Sequence, residues 1–592
     1  MQNIRDPQQT ALYDVWKDVF APETYEKIKR DWPGVFREVI LQLMPVDLVA
    51  DHFDPKMGRP TKELYSMAGL LLIAEFRDWT PAQAARAYVY YNDVQYALKL
   101  EPAGQTLSAR TVERYQKIFI EDDIAAEVMM RVTCGIVEEL ELDISRQRTD
   151  STHLYSDMAI FGRTRLMGVT IKRFLTQLKR HNREEYEALP EDLKDRYTVS
   201  EGRLFGDVAP DRAARSTLRQ TVAEQMQLLV ERFGDDSSMQ GRSTYQDMLQ
   251  VFTEQCEVVD QDVAVTEHPG GDVMQNPSDP DATRDGHKGP GYQAQVSETC
   301  SPENDVQVIT CALPQTAVVD DGPSLPDVFK GLKAHGLLPE IMWADTSYGS
   351  DDNVQEAAGE GVDLQSPVSG RKKNEAPYDL NVDDFVVDEE TEKVQRCPAG
   401  EEPEESVNDE ETGVTTTRMP ADTCGQCEFY EECPVKLSRD RGVLKHTSKQ
   451  RRLAARRREQ DTEAFREAYR IRSGGESLFS GAKRKLGLDR LRVRGSPAVN
   501  YKIWMKFAGW NVLRAAASEK LRQKLDKKRQ KRAQSSRNTG FGHVFTILTT
   551  VARWVIWHFQ RFREHIGLRN NRMRPDFTLS YIPAKQRPDF CR

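Results

Sequence analysis

Residues 467–485 read EAYRIRSGGESLFSGAKRK, and within them Tyr469, Arg472, Glu476 and Lys483 stand at offsets of 0, 3, 7 and 14. At about 100° per residue, a helix brings these four within roughly 60° of one another. One face then carries an acid flanked by two cations and a phenol. An acid beside phosphate-binding cations suits metal-dependent phosphodiester chemistry. Two aspartates upstream each close a run that reads as a strand: Asp150 in QRTDSTH (147–153) and Asp345 in IMWADTSYGS (341–350). The three carboxylates together suggest a split Asp-Asp-Glu site acting on nucleic acid.

Such chemistry has a reason to draw carboxylates from distant points of a chain. Two divalent cations held roughly 3.5–4 Å apart can activate a water or a 3′-hydroxyl and stabilise the leaving oxygen. Carboxylates suit Mg²⁺, which keeps several waters and binds substrate phosphates. A strand-terminal Asp alone is also a common turn starter, so neither aspartate argues for catalysis by itself. The helix pattern shifts that balance.

The surrounding order of elements favours an α/β fold. LELDISRQRTD reads as a strand ending at Asp150, and about 110 mostly helical residues follow it. After a Gly/Pro/Asp-rich break at HPGGDVMQNPSDPDATRDGHKGPG come two strands, YQAQVSETC and DVQVITCALPQ. A helix, SLPDVFKGLKAHG, and two short strands, EIMWAD and DLQSPV, complete the set. Strand–strand–helix–strand order after an earlier strand fits a mixed sheet interrupted by a helical insertion. Residues 1–125 read as helices. Thr80, Pro81 and Gln83 supply an N-cap, a first-turn proline and an N3 amide, and another helix starts near Ser108. That second helix puts Arg110, Arg114 and Lys117 on one face, which suits either DNA docking or a solvated basic surface.

At 592 residues the chain exceeds one compact core. The expected divisions are a helical DNA-binding domain at 1–125 and the first part of a catalytic core at 140–370, with a helical insertion at about 155–265. A cysteine-rich insertion at 371–440, the rest of the core at 441–535 and a helical tail at 536–592 follow. With 30% charged and 39% hydrophobic residues, the composition is globular rather than fibrous. The polar opening MQNIRDPQQT is no signal peptide, and His543, Arg553 and His558 interrupt the one long apolar run. A cytoplasmic protein without a membrane span is therefore expected.

The net charge of −10 hides a segregation: residues 441–540 hold 29 Lys and Arg against 8 Asp and Glu, a local net of +21. That block surrounds Glu476 and includes Tyr469, Tyr501, Trp504 and Trp510, which points to polyanion binding rather than a merely solvated face. Of nine cysteines, four cluster: Cys397, then Cys424, Cys427 and Cys433 in CGQCEFYEECP. The C-x2-C spacing with two further thiols reads as a structural Zn²⁺ site in an insertion too polar to build its own core.

These residues resemble DDE transposases of bacterial and archaeal insertion sequences, in the branch marked by Y-x2-R-x3-E-x6-K. Tyr469, Arg472, Glu476 and Lys483 match that signature at every spacing. TDST around Asp150, ADTSYGS around Asp345, DPDA (279–282) before GYQAQV, and MGRPTKELYSMAGLLL near the N-terminus resemble further strings of the family. The resemblance covers roughly residues 30 to 520. It implies a ribonuclease-H-like core, a five-stranded mixed sheet with helices on both faces. It further implies cleavage at element ends and strand transfer into target DNA, dependent on Mg²⁺ or Mn²⁺. In that picture Asp150, Asp345 and Glu476 hold the metals, while Arg472 and Lys483 contact phosphates and Tyr469 buttresses or contacts the backbone. The partners are double-stranded DNA, as inverted-repeat ends and target, and a second copy in a homodimer. The chain departs from the pattern at Gly474 and Gly475, each weakening a helix by about 1 kcal/mol relative to Ala. Two alternatives compete with this reading: a zinc-bearing DNA-binding regulator, and a nuclease of the same fold that does not join strands.

Overall fold

A computed structural model describes the chain except residues 10–12, 103, 207–210, 371–379, 439 and 539–592. The apolar run at 541–559 and Cys591 lie outside the described residues. Among those described, no helix is long and apolar enough to cross a membrane.

The N-terminal third is helical. Its main helices are α1 (Leu64–Phe76), α2 (Pro81–Tyr90), α3 (Ala109–Glu121) and α4 (Ile124–Leu140). The Thr80 hydroxyl and the Gln83 side chain form a reciprocal capping box at the start of α2, and the Ser108 hydroxyl caps α3. α1 is buried along nearly its whole length, as an apolar helix enclosed on all sides must be.

A mixed sheet follows: β1 (Arg146–Leu154), β2 (Gly289–Thr299), β3 (Ile309–Thr316), β4 (Ile341–Trp343) and β5 (Asp363–Gln365). The strands lie in the order β3-β2-β1-β4-β5, with a short strand, Thr283–Asp285, on the start of β2. β2 is antiparallel to β1 and β3, whereas β1, β4 and β5 run parallel. Nearly every residue of β2 is buried, so both faces of the sheet are covered there. This mixed α/β arrangement is compatible with a ribonuclease-H-like core. Between β4 and β5 lies α5 (Asp351–Gly359).

β1 extends four residues beyond Asp150. The expectation that Asp150 ends its strand is therefore corrected: the antiparallel ladder with β2 carries Ser151–Leu154 onward opposite Gln295–Tyr292. The segment between β1 and β2 is helical over Arg163–His181, Arg212–Phe233 and Ser243–Gln255, closes with a hairpin at Cys256–Val265, and has its own apolar core. The cysteine-bearing segment contains a four-stranded antiparallel sheet, whose strands include Val414–Pro420 and Arg441–Thr447.

The chain then returns to the sheet through α6 (Ser448–Gln460), α7 (Gly474–Leu486) and α8 (Ser496–Ala517). α8 packs on α1, α4 and β3, and one apolar cluster runs from Trp32 through the N-terminal helices and β2 to Leu525. The N-terminal helices thus share their core with the sheet.

Candidate active site

The register of the parallel pair β1/β4 places the two aspartates. Arg148 is opposite Trp343, so continuing two residues along each chain brings Asp150 beside Asp345. Asp345 lies just past β4, where its side chain accepts the Ser347 N–H at 2.9 Å and caps a short turn. The Asp150 carboxylate accepts the Ser151 N–H at 2.9 Å.

Arg472 joins them. Its Nη2 donates to Asp150 Oδ2 at 2.9 Å and stands 3.8 Å from Asp345 Oδ2. Burial pushes the Asp150 carboxyl up to about 6; Arg472 opposes the shift, and the charges of Asp345 and Asp321 add to it. Asp321 was not singled out in the sequence. It accepts from Ser151 Oγ and from Gln295 Nε2, both at 2.9 Å, and so sits under the site.

The helix expected over the whole signature is broken. Glu463–Tyr469 is one helix, Arg470–Ser473 is a tighter 3-10 turn, and α7 begins at Gly474. At the break the chain runs close to β1: a Cβ on Gly474 would stand 1.9 Å from Arg148 Nη1. Arg148 reaches across to donate to the Ile471 carbonyl at 2.9 Å, and it forms a buried ion pair with Glu298, its cross-strand partner on β2. Gly474 thus lets the turn lie against Arg148 of β1, close to where Arg472 meets Asp150. Arg148 and Glu298 went unnoticed in the sequence because only the β1/β2 register shows them to be partners.

Tyr469 donates from its hydroxyl to the Ala344 carbonyl at 2.9 Å, directly before Asp345, and burial pushes its pKa up to about 12. Phe465 stacks on it at 5.5 Å. Lys483 is 3.7 Å from Asp489 and partly exposed. At the far end of α7, Lys506 donates to the Leu486 carbonyl and, at 2.9 Å, to Asp78 Oδ1 at the end of α1.

Glu476 occupies the first turn of α7 and is exposed, with no hydrogen bond or ion pair to any described residue. The structure therefore brings Asp150, Asp345, Arg472 and Tyr469 together, and sets Glu476 on a helix packed against β1 with its carboxylate toward solvent. Among the described residues, no three His, Cys, Asp or Glu side chains converge closely enough to hold a metal ion. The donor set still suits a divalent cation: two close carboxylates, one of them pushed up by burial and by its neighbour's charge.

Cys397, Cys424, Cys427 and Cys433 line one apolar cavity of about 30 Å³. Burial raises the Cys424 thiol to about 11 and also raises Cys433. Arg110 and Arg114 are exposed on α3, with Arg114 lying over the Phe53 ring at 5.3 Å. Much of the basic block is engaged within the chain, as in Arg492–Asp78 at 2.6 Å and Arg529–Glu38 at 2.7 Å. Lys527, Lys528 and Lys531, on the helix Glu519–Asn538, are exposed and make no ion pair among the described residues.

No curated protein and no solved structure matches this chain. Asp150 and Asp345 lie outside the one span that a protein family's model matches, so their place in the site rests on the geometry above. That span contains Tyr469, Arg472, Glu476 and Lys483: residues 396–516 match the family model described as Transposase DDE domain, which supports a DDE transposase, an enzyme acting on DNA.

Proposed function

We propose that this protein is a transposase that cleaves DNA at the ends of an insertion sequence and joins those ends to target DNA. The observation that carries this reading is the sharing of Arg472 by Asp150 and Asp345, supplied by the same short segment that bears Glu476. An exposed carboxylate in the first turn of a helix packed on β1 is the natural third member.

In this reading Asp150, Asp345 and Glu476 hold Mg²⁺ or Mn²⁺, which when bound supplies charge stabilisation and an activated oxygen nucleophile. The chain's own contributions are separate. β1 and β4 fix the two aspartates, and Tyr469 holds the backbone at Ala344. Arg472, once the aspartates have another cation, is free to donate to a phosphate oxygen, as Lys483 is. In cleavage, a water oxygen bonds to phosphorus, the P–O3′ bond breaks and the departing 3′ oxygen takes a proton. In joining, that 3′-hydroxyl attacks a target phosphorus and a target 3′-hydroxyl leaves.

The exposed Arg110 and Arg114 on α3 are proposed to read the end sequence, in a complex containing two copies of the chain. The cysteine-bearing segment is proposed to take one structural Zn²⁺ at Cys397, Cys424, Cys427 and Cys433, supported by all four lining one cavity, across which the thiols would draw together on the ion; zinc analysis of the folded protein tests this. The main test is incubation with a plasmid carrying the element's ends and Mg²⁺. Nicks leaving 3′-hydroxyls at those ends, and joined products, support the reading. Nicks without joined products favour a nuclease.

A further inference from the structure

The helix α6, SKQRRLAARRREQ, carries six cations against one acid, and a run of arginines beside a DNA-processing site reads naturally as a track for phosphates. Its side chains point elsewhere. Arg456 donates from Nη1 to the Gly349 carbonyl at 3.1 Å and from Nη2 to the Ser366 carbonyl at 3.0 Å. Gly349 lies in the loop leaving Asp345, and Ser366 follows the returning strand β5. Ser366 in turn donates from Oγ to the Asp345 carbonyl at 2.5 Å. One guanidinium therefore bridges the outgoing and returning arms of the Asp345 loop. These arms are so close that a Cβ on Gly349 would stand 1.8 Å from the Pro367 carbonyl oxygen.

The same face of α6 makes three more contacts. Arg452 grips Asp351, which is 2% exposed, through Nε at 3.1 Å and Nη2 at 2.7 Å. Lys449 pairs with Asp352 at 3.0 Å, and Gln460 Oε1 accepts the Val368 N–H at 3.0 Å. Positions 449, 452, 456 and 460 follow the helical period, so the whole stripe faces the loop. A second stripe faces the cysteine-bearing segment: Arg451 pairs with Glu392 at 3.1 Å, and Arg458 with Asp384 at 2.6 Å.

We infer that α6 is a clamp that positions Asp345, with Arg456 and Arg452 as positioning residues, and that it braces this loop against the cysteine-bearing segment instead of binding DNA. A carbonyl pair held by one planar fork resists separation in a way that a lysine, with a single ammonium point, reproduces only in part. The inference rests on Asp345 being a metal-holding residue, but the clamp itself can be read without activity.

The test uses the full chain with Arg456→Met, Arg456→Lys and, as a surface control on the same stripe, Lys449→Ala. Hydrogen exchange of residues 344–350, without DNA or metal, should speed up at least tenfold in Arg456→Met, less in Arg456→Lys, and not in Lys449→Ala. Mg²⁺-dependent cleavage should need about tenfold more metal for half-saturation in Arg456→Met while keeping most of its maximal rate. The slope of log binding constant against log salt for end DNA should match wild type, because a lost phosphate contact would lower it by about 0.9. Unchanged exchange in the loop, or a slope lowered by that amount, overturns the inference. If wild type shows no metal-dependent cleavage, the proposed function fails, while the exchange and salt measurements still decide the clamp. Should Arg456→Met fail to fold, Arg456→Lys carries the same three readouts.

Discussion

Asp150 on β1 and Asp345 just past β4 stand side by side, each accepting a backbone N–H and both facing Arg472, whereas Glu476 stands exposed on the first turn of α7 with no hydrogen-bond or ion-pair partner among the described residues. The difference follows from the elements that carry them. The ladder with β2 fixes Asp150 and the capped turn after β4 fixes Asp345, so the like charges are held together with a cation between them. The first turn of a helix that follows a 3-10 break is fixed mainly through its backbone, here by Arg148 under the turn and Lys506 at the far end. One half of the site is preformed and charge-loaded; the other half is free to engage a ligand.

Neutralising either half should abolish cleavage. Asp150→Asn, Asp345→Asn and Glu476→Gln are each expected to slow end cleavage by about 10³-fold or more, assayed as 3′-hydroxyl formation, while end binding persists. A smaller loss, about 10²-fold, is expected for Arg472→Ala, since the aspartates lose their shared cation and the phosphate loses a donor. If Arg472→Ala cleaves like wild type, the pair is not held as described.

Stability should separate the two halves. Between about pH 4 and 6 the folded protein holds a proton on Asp150 that the unfolded chain has released, so this carboxyl lowers stability as pH rises through that window. Asp150→Asn should therefore be more stable than wild type at pH 7.5 by roughly 3 kcal/mol, and indistinguishable from it at pH 4 or below. Glu476→Gln should leave the melting temperature unchanged at both pH values. Tyr469→Phe gives the smallest effect, about 1 kcal/mol from the lost bond to the Ala344 carbonyl, read as a several-fold fall in cleavage.

Much of this was legible in the sequence, for reasons that can be traced. Thr80–Gln83 and Ser108 announce helices because capping is local chemistry, and both caps form. The strand runs around Asp150 and Asp345 were visible as patterns, and the split of the block into two arginine faces was not. Strand length failed at Asp150, because the ladder with β2 continues across STHL. The helix over the signature breaks at Arg470–Ser473, where the turn's Ile471 carbonyl is taken by Arg148, more than 300 residues away in sequence. Asp321, Arg148 and Glu298 gave no signal at all: an isolated acid or cation shows its role only once the register supplies its partner. The division of the basic block was hidden for the same reason: charges count equally in a sequence whether they face water, as Lys527 and Lys531 do, or an internal acid, as Arg492 and Arg529 do.

The shared core of the N-terminal helices and the sheet also bears on how end recognition is examined. Removing residues before 125 would strip apolar cover from α4 and α8, so Arg110→Ala with Arg114→Ala is the cleaner change. It should lower discrimination between end and random DNA while sparing the nonspecific affinity supplied by exposed lysines such as Lys527 and Lys531.

The central claim is that three segments far apart in sequence form one divalent-cation site. Replacing Mg²⁺ by Fe²⁺ and generating hydroxyl radicals with ascorbate and peroxide cuts the backbone nearest the bound ion. The account predicts cuts near residues 150, 345 and 476 together, suppressed by excess Mg²⁺ and weakened at all three places by Asp150→Asn. Cuts that spare the segment around Glu476, or that persist unchanged in Asp150→Asn, would contradict it.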